Sequence, residues 1–455
     1  MPTIAPTSSA PVATTAPRHP TNVTTRDDRS APDCRAELLV RVLSVPTEPV
    51  AAVPVEMVAW IIRGSFADAH DVLERLTAAG RATRTDGGTD YRIRRTRHPG
   101  PTDDLFDPLL RHIHWFLTRA LAADQAIHPH DRRPATCPTS TATHIFDSTI
   151  DATRWYTDNA RHLRALLPLV LRLDHDLTWW LAQALWRLSR WTGDHSGAVE
   201  AQMIGLTAAQ RSPTLPHRAR LLTRADHLAR AAISLTDTGR HQAALPLCDE
   251  AVTIATTAAD PTVLSTALSA RAHAKRAAGH TEQALADLFR SLEQADDDHS
   301  RALRHHSLAT ALTDLDRHDE ALINLGHAAT LMLAVGDDLG HARVNTTRAD
   351  VLIRVGRPTE AAPLLNNALP VATRSGSPLH VADVQAALGH CAQATGDPDR
   401  AVEWFTAART NYLAARHGGR ADAMSAAIAC CATTADPRPG SRDRQTADCR
   451  RVVRR

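Results

Sequence analysis

Apolar residues fall at helical spacing along most of the chain, and between about His217 and Ala415 the pattern itself recurs. One short phrase returns five times, as TGRHQAAL from 238, AGHTEQAL from 278, LDRHDEAL from 315, VGRPTEAA from 355 and TGDPDRAV from 395. The alanine near its end falls at Ala244, Ala284, Ala321, Ala361 and Ala401, in steps of 40, 37, 40 and 40 residues. A weaker copy, TGDHSGAV from 192, places Ala198 46 residues upstream of Ala244. So regular a step predicts stacked supersecondary units in place of a single globular core.

Each unit has internal order. Twelve residues before the marker alanine stands another small residue, Ala232, Ala272, Ala309, Ala349 or Gly389. Seven after it come Ala251, Ser291, Ala328, Ala368 and Ala408, and four after it Cys248, Leu288, Leu325, Leu365 and Phe405. This is the signature of an antiparallel helix pair whose small residues let two backbones approach while the larger apolar one fills the seam. Five before the marker is Gly239, Gly279, Gly356 or Gly396, with Asp316 in the remaining copy. A helix that must turn sharply needs a residue tolerant of positive φ, which Gly and then Asn or Asp supply.

This pattern resembles the tetratricopeptide repeat over most of 217–415. The resemblance implies a mainly α fold, an α-solenoid of five to six helix pairs wound as a right-handed superhelix over 176–416. Two features depart from the family: the usual aromatic nine before the marker is replaced by Leu235, Lys275, Leu312, Leu352 and Ala392, and the step exceeds the usual ~34 residues. Longer helices absorb the extra length most simply. HEAT-type repeats, with a period of about 40, are the alternative.

Upstream, residues 34–44, 54–62 and 66–80 carry helical patterns, and 81–97 reads as two short strands around Asp86-Gly87-Gly88. Three helices and a hairpin over 34–98 make a winged-helix-like pattern. Its hairpin is basic, through Arg81, Arg84, Arg92, Arg94, Arg95 and Arg97, which suits phosphate contacts. The helix that would enter a major groove carries Asp68, Asp71 and Glu74 against Arg75, and acid facing phosphate is repulsive. DNA binding is therefore the lesser expectation, behind a structural or protein-contacting role.

A helical spacer follows over 103–175, with a Pro- and Thr-containing loop at 134–144 and the run HPHDRR from 128. A winged helix, HPHDRR, a helix with Trp155 and Leu163, then WWLAQALWRL and the repeats together resemble the C-terminal arm of bacterial STAND (NB-ARC) signal-transduction ATPases. Those regulators carry a nucleotide-binding domain ahead of the winged helix, but no GxxxxGK[ST] loop occurs here and the 33 residues upstream are too few for one. The Met-His-Asp-like triplet implied by the resemblance is here Ile93-Arg94-Arg95. No nucleotide is expected.

Composition changes this picture little. A net charge of +2 argues against general affinity for polyanions. Seven scattered cysteines without a CxxC pair predict a reducing, cytoplasmic setting. No apolar run is long enough to cross a membrane, and the first 33 residues, rich in Thr, Ala and Pro, read as a disordered arm with no secretory core. Residues 433–455 read as a disordered basic tail that contacts acidic surfaces or dangles. Twenty-five histidines form no HExxH or zinc-finger spacing, and no GxSxG elbow appears. No metal, no cofactor and no enzymatic activity are expected.

The inner surface of the superhelix remains. Positions 18, 15, 11, 8 and 7 before each marker should face it, giving Asp226, Asp237, His273, Arg276, His306, Asp314, Arg343, Asp350, Arg354, Asp383 and His390. Such a mixed-sign groove suits an extended or helical peptide of a partner protein, held by charge-assisted hydrogen bonds. The alternative is a solvated face of internal ion pairs. A clamp for a C-terminal carboxylate is not expected, because the paired Asn and Lys of such members are absent, with Asp350 and Thr346 at one such pair of positions.

Overall fold

The computed structural model describes residues 32–85, 89–96, 102–133 and 145–434. The expected N-terminal arm, the Asp86-Gly87-Gly88 turn, Arg97, the loop at 134–144 and most of the basic tail lie outside them. Eighteen helices occur among the described residues, with one small sheet.

The chain opens with α1 (Pro32–Ser44), β1 (Val53–Pro54), α2 (Val55–Ile62), α3 (Phe66–Ala78), β2 (Ala82–Arg84) and β3 (Asp90–Ile93). The strands pair antiparallel in the order β1-β3-β2, with Val53 opposite Tyr91 and Thr83 opposite Arg92. Pro54 belongs to the strand that precedes α2. Ser65 and Asp68 close a reciprocal capping box on α3, satisfying N–H groups that the helix start leaves without partners.

After a 3-10 turn come α4 (Phe106–Ile127) and α5 (Thr149–Leu173), an antiparallel pair. The repeats follow as α6 (His175–Trp191) with α7 (His195–Arg211), α8 (His217–Asp237) with α9 (His241–Thr257), α10 (Pro261–Ala277) with α11 (Thr281–Glu293), and α12 (Asp298–Asp314) with α13 (His318–Ala334). Then come α14 (Asp338–Arg354) with α15 (Pro358–Ser375), α16 (Pro378–Ala394) with α17 (Pro398–Ala414), and an unpaired α18 (Gly418–Thr434). The fold is thus a mainly α solenoid of tandem helix pairs, as the period predicts.

Two 17-residue helices and two three-residue turns make the 40-residue step. The exceptions have local causes. The 37-residue step contains α11, which is only 13 residues long, and the 46-residue step contains α8, which runs to 21 and follows a longer turn. The five marker alanines are fully buried, as are their partners Ala232, Ala272, Ala309 and Ala349. In the last pair Phe405 takes the seam position, and a Cβ on Gly389 would come within 2.5 Å of its ring, so the larger residue and the missing methyl compensate.

The turns repeat as faithfully. Gly239, Gly279, Gly356 and Gly396 have φ between 78 and 82°, and Asp316 adopts the same region at 56°. The next N–H reaches back to close the helix, as from Arg240 to Leu235 O at 2.8 Å and from Arg357 to Leu352 O at 2.8 Å. Asp260, Asp297, Asp337 and Ser377 cap the starts of α10, α12, α14 and α16 with their side chains.

One apolar core runs from α1 through α7, and smaller cores between successive pairs carry on from it. The stack continues past Ala415. Ala421, Met424, Ala427 and Cys431 of α18 are buried against α17, so this segment is a packed end helix.

The solenoid also closes on itself. Trp191, ending α6, stands edge-on to His380 of α16 with centroids 5.1 Å apart, and His195 meets His417 at 5.6 Å. Gly193 lies so close to Ala415 that a Cβ there would sit 2.2 Å from its carbonyl oxygen. Ile150 of α5 abuts Gly376, and Arg132 reaches across to Asp296 at 2.7 Å. The concave face is therefore an enclosed lumen.

Candidate functional site

The helices that line the lumen are the first of each pair. Around one cleft of about 460 Å³ the fold gathers His306, Asp314, Arg343, Asp350, Arg354, Asp383 and His390, seven of the eleven side chains expected to face inward. They come from α12, α14 and α16, whose small buried residues turn the opposite face toward the second helices.

The other four do not line this cleft. Asp226 accepts from Gln183 Nε2 and Arg230 Nε, both at 2.7 Å. Asp237 is held by Arg190 at 3.0 Å, His273 at 2.9 Å and His195 at 3.4 Å. Burial opposes its ionisation, but Arg190 and the two imidazoles hold its carboxyl well below the usual range. His273 is thereby engaged, and Arg276 pairs with Asp314 at 2.7 Å. At these positions the alternative of internal ion pairs is what the fold contains.

Within the cleft the remaining acid is mostly spent as well. Asp383 accepts from Arg420 at 2.7 Å and from the Tyr412 hydroxyl at 2.8 Å. His306 and Thr347 Oγ1 are 2.8 Å apart, and desolvation followed by the charge of Arg343 holds its imidazole down at about 3. His390 lies edge-on to Phe405, and burial holds it at about 4. Both rings are neutral at ordinary pH.

Three groups on α14 stand apart. Arg343 and Arg354 make no hydrogen bond or ion pair through their side chains among the described residues, and both are exposed to the lumen. Arg343 is nonetheless ringed by protein: desolvation, then the charge of Arg190 from the far wall, lowers its guanidinium. The two conditions coexist because the lumen is wet but enclosed. Asp350, half-buried between them, also lacks a hydrogen-bond partner, and desolvation pushes its carboxyl up to about 7 against the pull of Arg354.

Sequence reasoning missed Arg420 and Tyr412, which bring the last two helices into the cleft, and His380, which links it to the seam. Arg420 lies on α18, which has no partner helix and so no marker alanine from which to count, and His380 and Tyr412 lie outside the inward positions counted back from Ala401. Thr310 and Thr346 stood at inward positions and do line the cleft.

Elsewhere most of the singled-out charges are occupied, Arg92 and Arg94 being exposed. On α3, Asp68 pairs with Arg35, Asp71 with Arg75, and Glu74 with Arg84. Arg81 pairs with Glu37, and Arg95 donates to the carbonyls of Ser44, Pro46 and Thr47. The HPHDRR run is a structural clasp: buried Asp124 binds Arg187 and Arg133 at 3.2 Å each, and Asp131 binds Arg187 at 3.2 Å. His112 is a core histidine, its Nε2 3.0 Å from that of His162, whose Nδ1 faces Glu48 O at 2.8 Å. Among the described residues no group of three or more metal-ligating side chains gathers, and no helix is long and apolar enough to cross a membrane.

Residues 340–414, nearly the whole of α14 through α17, match the family model of the tetratricopeptide repeat. No curated protein matches the chain. Among solved structures it is similar to a Rap protein complexed with competence and sporulation factor, at 12% identity and a TM-score of 0.44 over 70% of this chain and 96% of that one. It is also similar to a signal transduction ATPase with numerous domains and a tetratricopeptide repeat sensor from Pyrococcus horikoshii, at 12% identity and a TM-score of 0.44 over 88% of this chain and 64% of that one. Aspartyl phosphate phosphatase F from Bacillus subtilis gives 8% identity and a TM-score of 0.41 over 90% and 96%. Likenesses at this level carry no weight for function.

Proposed function

We propose that the chain is a non-enzymatic interaction scaffold of cytoplasmic regulation that captures a segment of a partner protein in its lumen. The observation that carries this reading is the pair Arg343 and Arg354, charged and without partners in an enclosed cleft where the neighbouring charges are paired. Exposed to the lumen and unpaired, their guanidinium groups are available to the carboxylates and carbonyls of an incoming segment. The threonine hydroxyls beside them donate within their own helices, Thr310 to His306 O and Thr347 to Arg343 O, which leaves them only as acceptors for the N–H groups of a segment.

The test is retention of host peptides on the immobilised full chain, identified by mass spectrometry. The wild type should enrich a discrete set of segments that the Arg343→Glu, Arg354→Glu pair releases while keeping its helicity. Equal retention by both proteins removes the reading.

A second reading concerns α1–α3 and their sheet, whose helix and strand order supports a winged helix with Arg92 and Arg94 exposed. The engagement of Arg81, Arg84 and Arg95 within the module favours a protein contact over base reading. Filter binding of the full chain to DNA at two salt concentrations should then show weak, sequence-independent affinity, and a large specificity ratio would favour a DNA-binding regulator.

A further inference from the structure

Asp350 and Arg354 follow Arg343 by seven and eleven residues, so the three fall within about 40° of one another around α14 and form one stripe along it. The two arginines are about 16 Å apart along the axis at ~1.5 Å per residue. Around them, Asp314 is neutralised by Arg276, Asp383 by Arg420, and Asp237 by Arg190. The stripe thus sets two guanidinium groups against one carboxyl, Asp350, which has no hydrogen-bond partner and is pushed up to about 7 by burial, so positive charge is in excess. Val384, Ala387 and Met424 also line the cleft but are buried in the protein, so its accessible lining is mostly of polar residues.

From this juxtaposition we infer that the lumen is selective for an acidic peptide segment, with one carboxylate received by Arg343 and a second by Arg354. The inference rests on the reading of the lumen as a capture site for a partner segment and adds the chemistry of that segment. An extended chain rises about 3.4 Å per residue, so carboxylates four residues apart span ~14 Å and share one face, which the long arginine arms accommodate. Guanidinium forks match carboxylates with two parallel hydrogen bonds. A polyphosphate or nucleic-acid strand fits less well, because its unbroken run of charge would set an anion against Asp350 between the two arginines, where a peptide can set uncharged residues.

The experiment uses the full chain and pooled fluorescent hexapeptides in three sets, alike except that the first and fifth positions are both Glu, both Gln or both Lys. By anisotropy the Glu set should bind at least about tenfold more tightly than the Gln set. The Arg343→Glu, Arg354→Glu pair should invert the order and prefer the Lys set, which a merely misfolded protein would not do. Equal binding of the Glu and Gln sets, or an acidic preference kept by the double variant, overturns the acidic specificity while leaving peptide capture standing. Binding of no set by either protein overturns both. Displacement of the Glu set by tripolyphosphate at equal concentration marks a general anion site and also overturns the inference.

Discussion

Trp191 and His380 meet edge to face, with ring centroids 5.1 Å apart, and so join the first repeat helix to the last pair. The contact turns a curved stack into a closed one. It also explains how Arg190, next to Trp191, bears electrostatically on Arg343 from across the lumen.

Closure depends on Gly193. Its φ of +77° and the 2.2 Å that would separate a Cβ from Ala415 O leave no room for a side chain. Gly193→Ala is expected to open the seam, seen as a larger radius of gyration in solution scattering at unchanged helicity. Gly279→Ala is the control: its φ is +82° but no atom stands within 4 Å of the added carbon. It should cost the left-handed penalty of about 1–2 kcal/mol without expansion. An unchanged radius for Gly193→Ala contradicts the closed form.

The packing register makes a second prediction. Ala321 is fully buried and Ala277 exposed, so Ala321→Leu should cost about 1–3 kcal/mol and Ala277→Leu close to nothing, by urea unfolding. Gly389→Ala should be destabilising by a similar amount because of Phe405, and adding Phe405→Leu should recover part of the loss. Additive effects would show that the two residues do not share a seam.

Asp350 gives a pH dependence. Its folded value of about 7 lies above its unfolded one, so the folded state holds a proton that the unfolded state has released. This group therefore costs stability as pH rises from about 4 through 7, and costs nothing below that window. Asp350→Asn should match the wild type near pH 4 and exceed it at pH 8 by on the order of 1–3 kcal/mol. His306 and His390, held at about 3 and 4, run the other way, losing stability as pH falls below about 6.5, and cancel in the comparison. A variant less stable than the wild type at pH 8 contradicts the assignment.

The clasp around Asp124 is a fourth test. Burial opposes its charge, yet Arg187, His128 and Arg133 hold its carboxyl down to about 2. Removing the carboxylate by Asp124→Ala leaves the Arg187 charge buried and should cost about 3–5 kcal/mol by denaturant unfolding. A loss below about 1 kcal/mol would mean that the clasp contributes little.

The repeat was legible because its determinants are local. Ala244, Ala284, Ala321, Ala361 and Ala401 announce where two backbones meet, and the four turn glycines, with Asp316, announce where the chain reverses. The lumen was legible by face only. Counting back from a marker places Asp226 and Arg343 equally inward, but whether a side chain is free depends on what the neighbouring helix brings. Gln183 and Arg230 reach Asp226, and among the described residues nothing bonds the Arg343 side chain. Closure was not legible, because Trp191, Gly193, His380 and Ala415 carry no pattern that links them across the chain.

Hydrogen exchange of the full chain with and without a captured acidic peptide tests the central claim most directly. Slowed exchange concentrated in α12, α14 and α16, and weakened in the Arg343→Glu, Arg354→Glu pair, is the predicted result. Protection confined to residues 32–96, or to the outer helices α9, α11 and α13, would place the binding surface elsewhere and contradict the lumen as the working site.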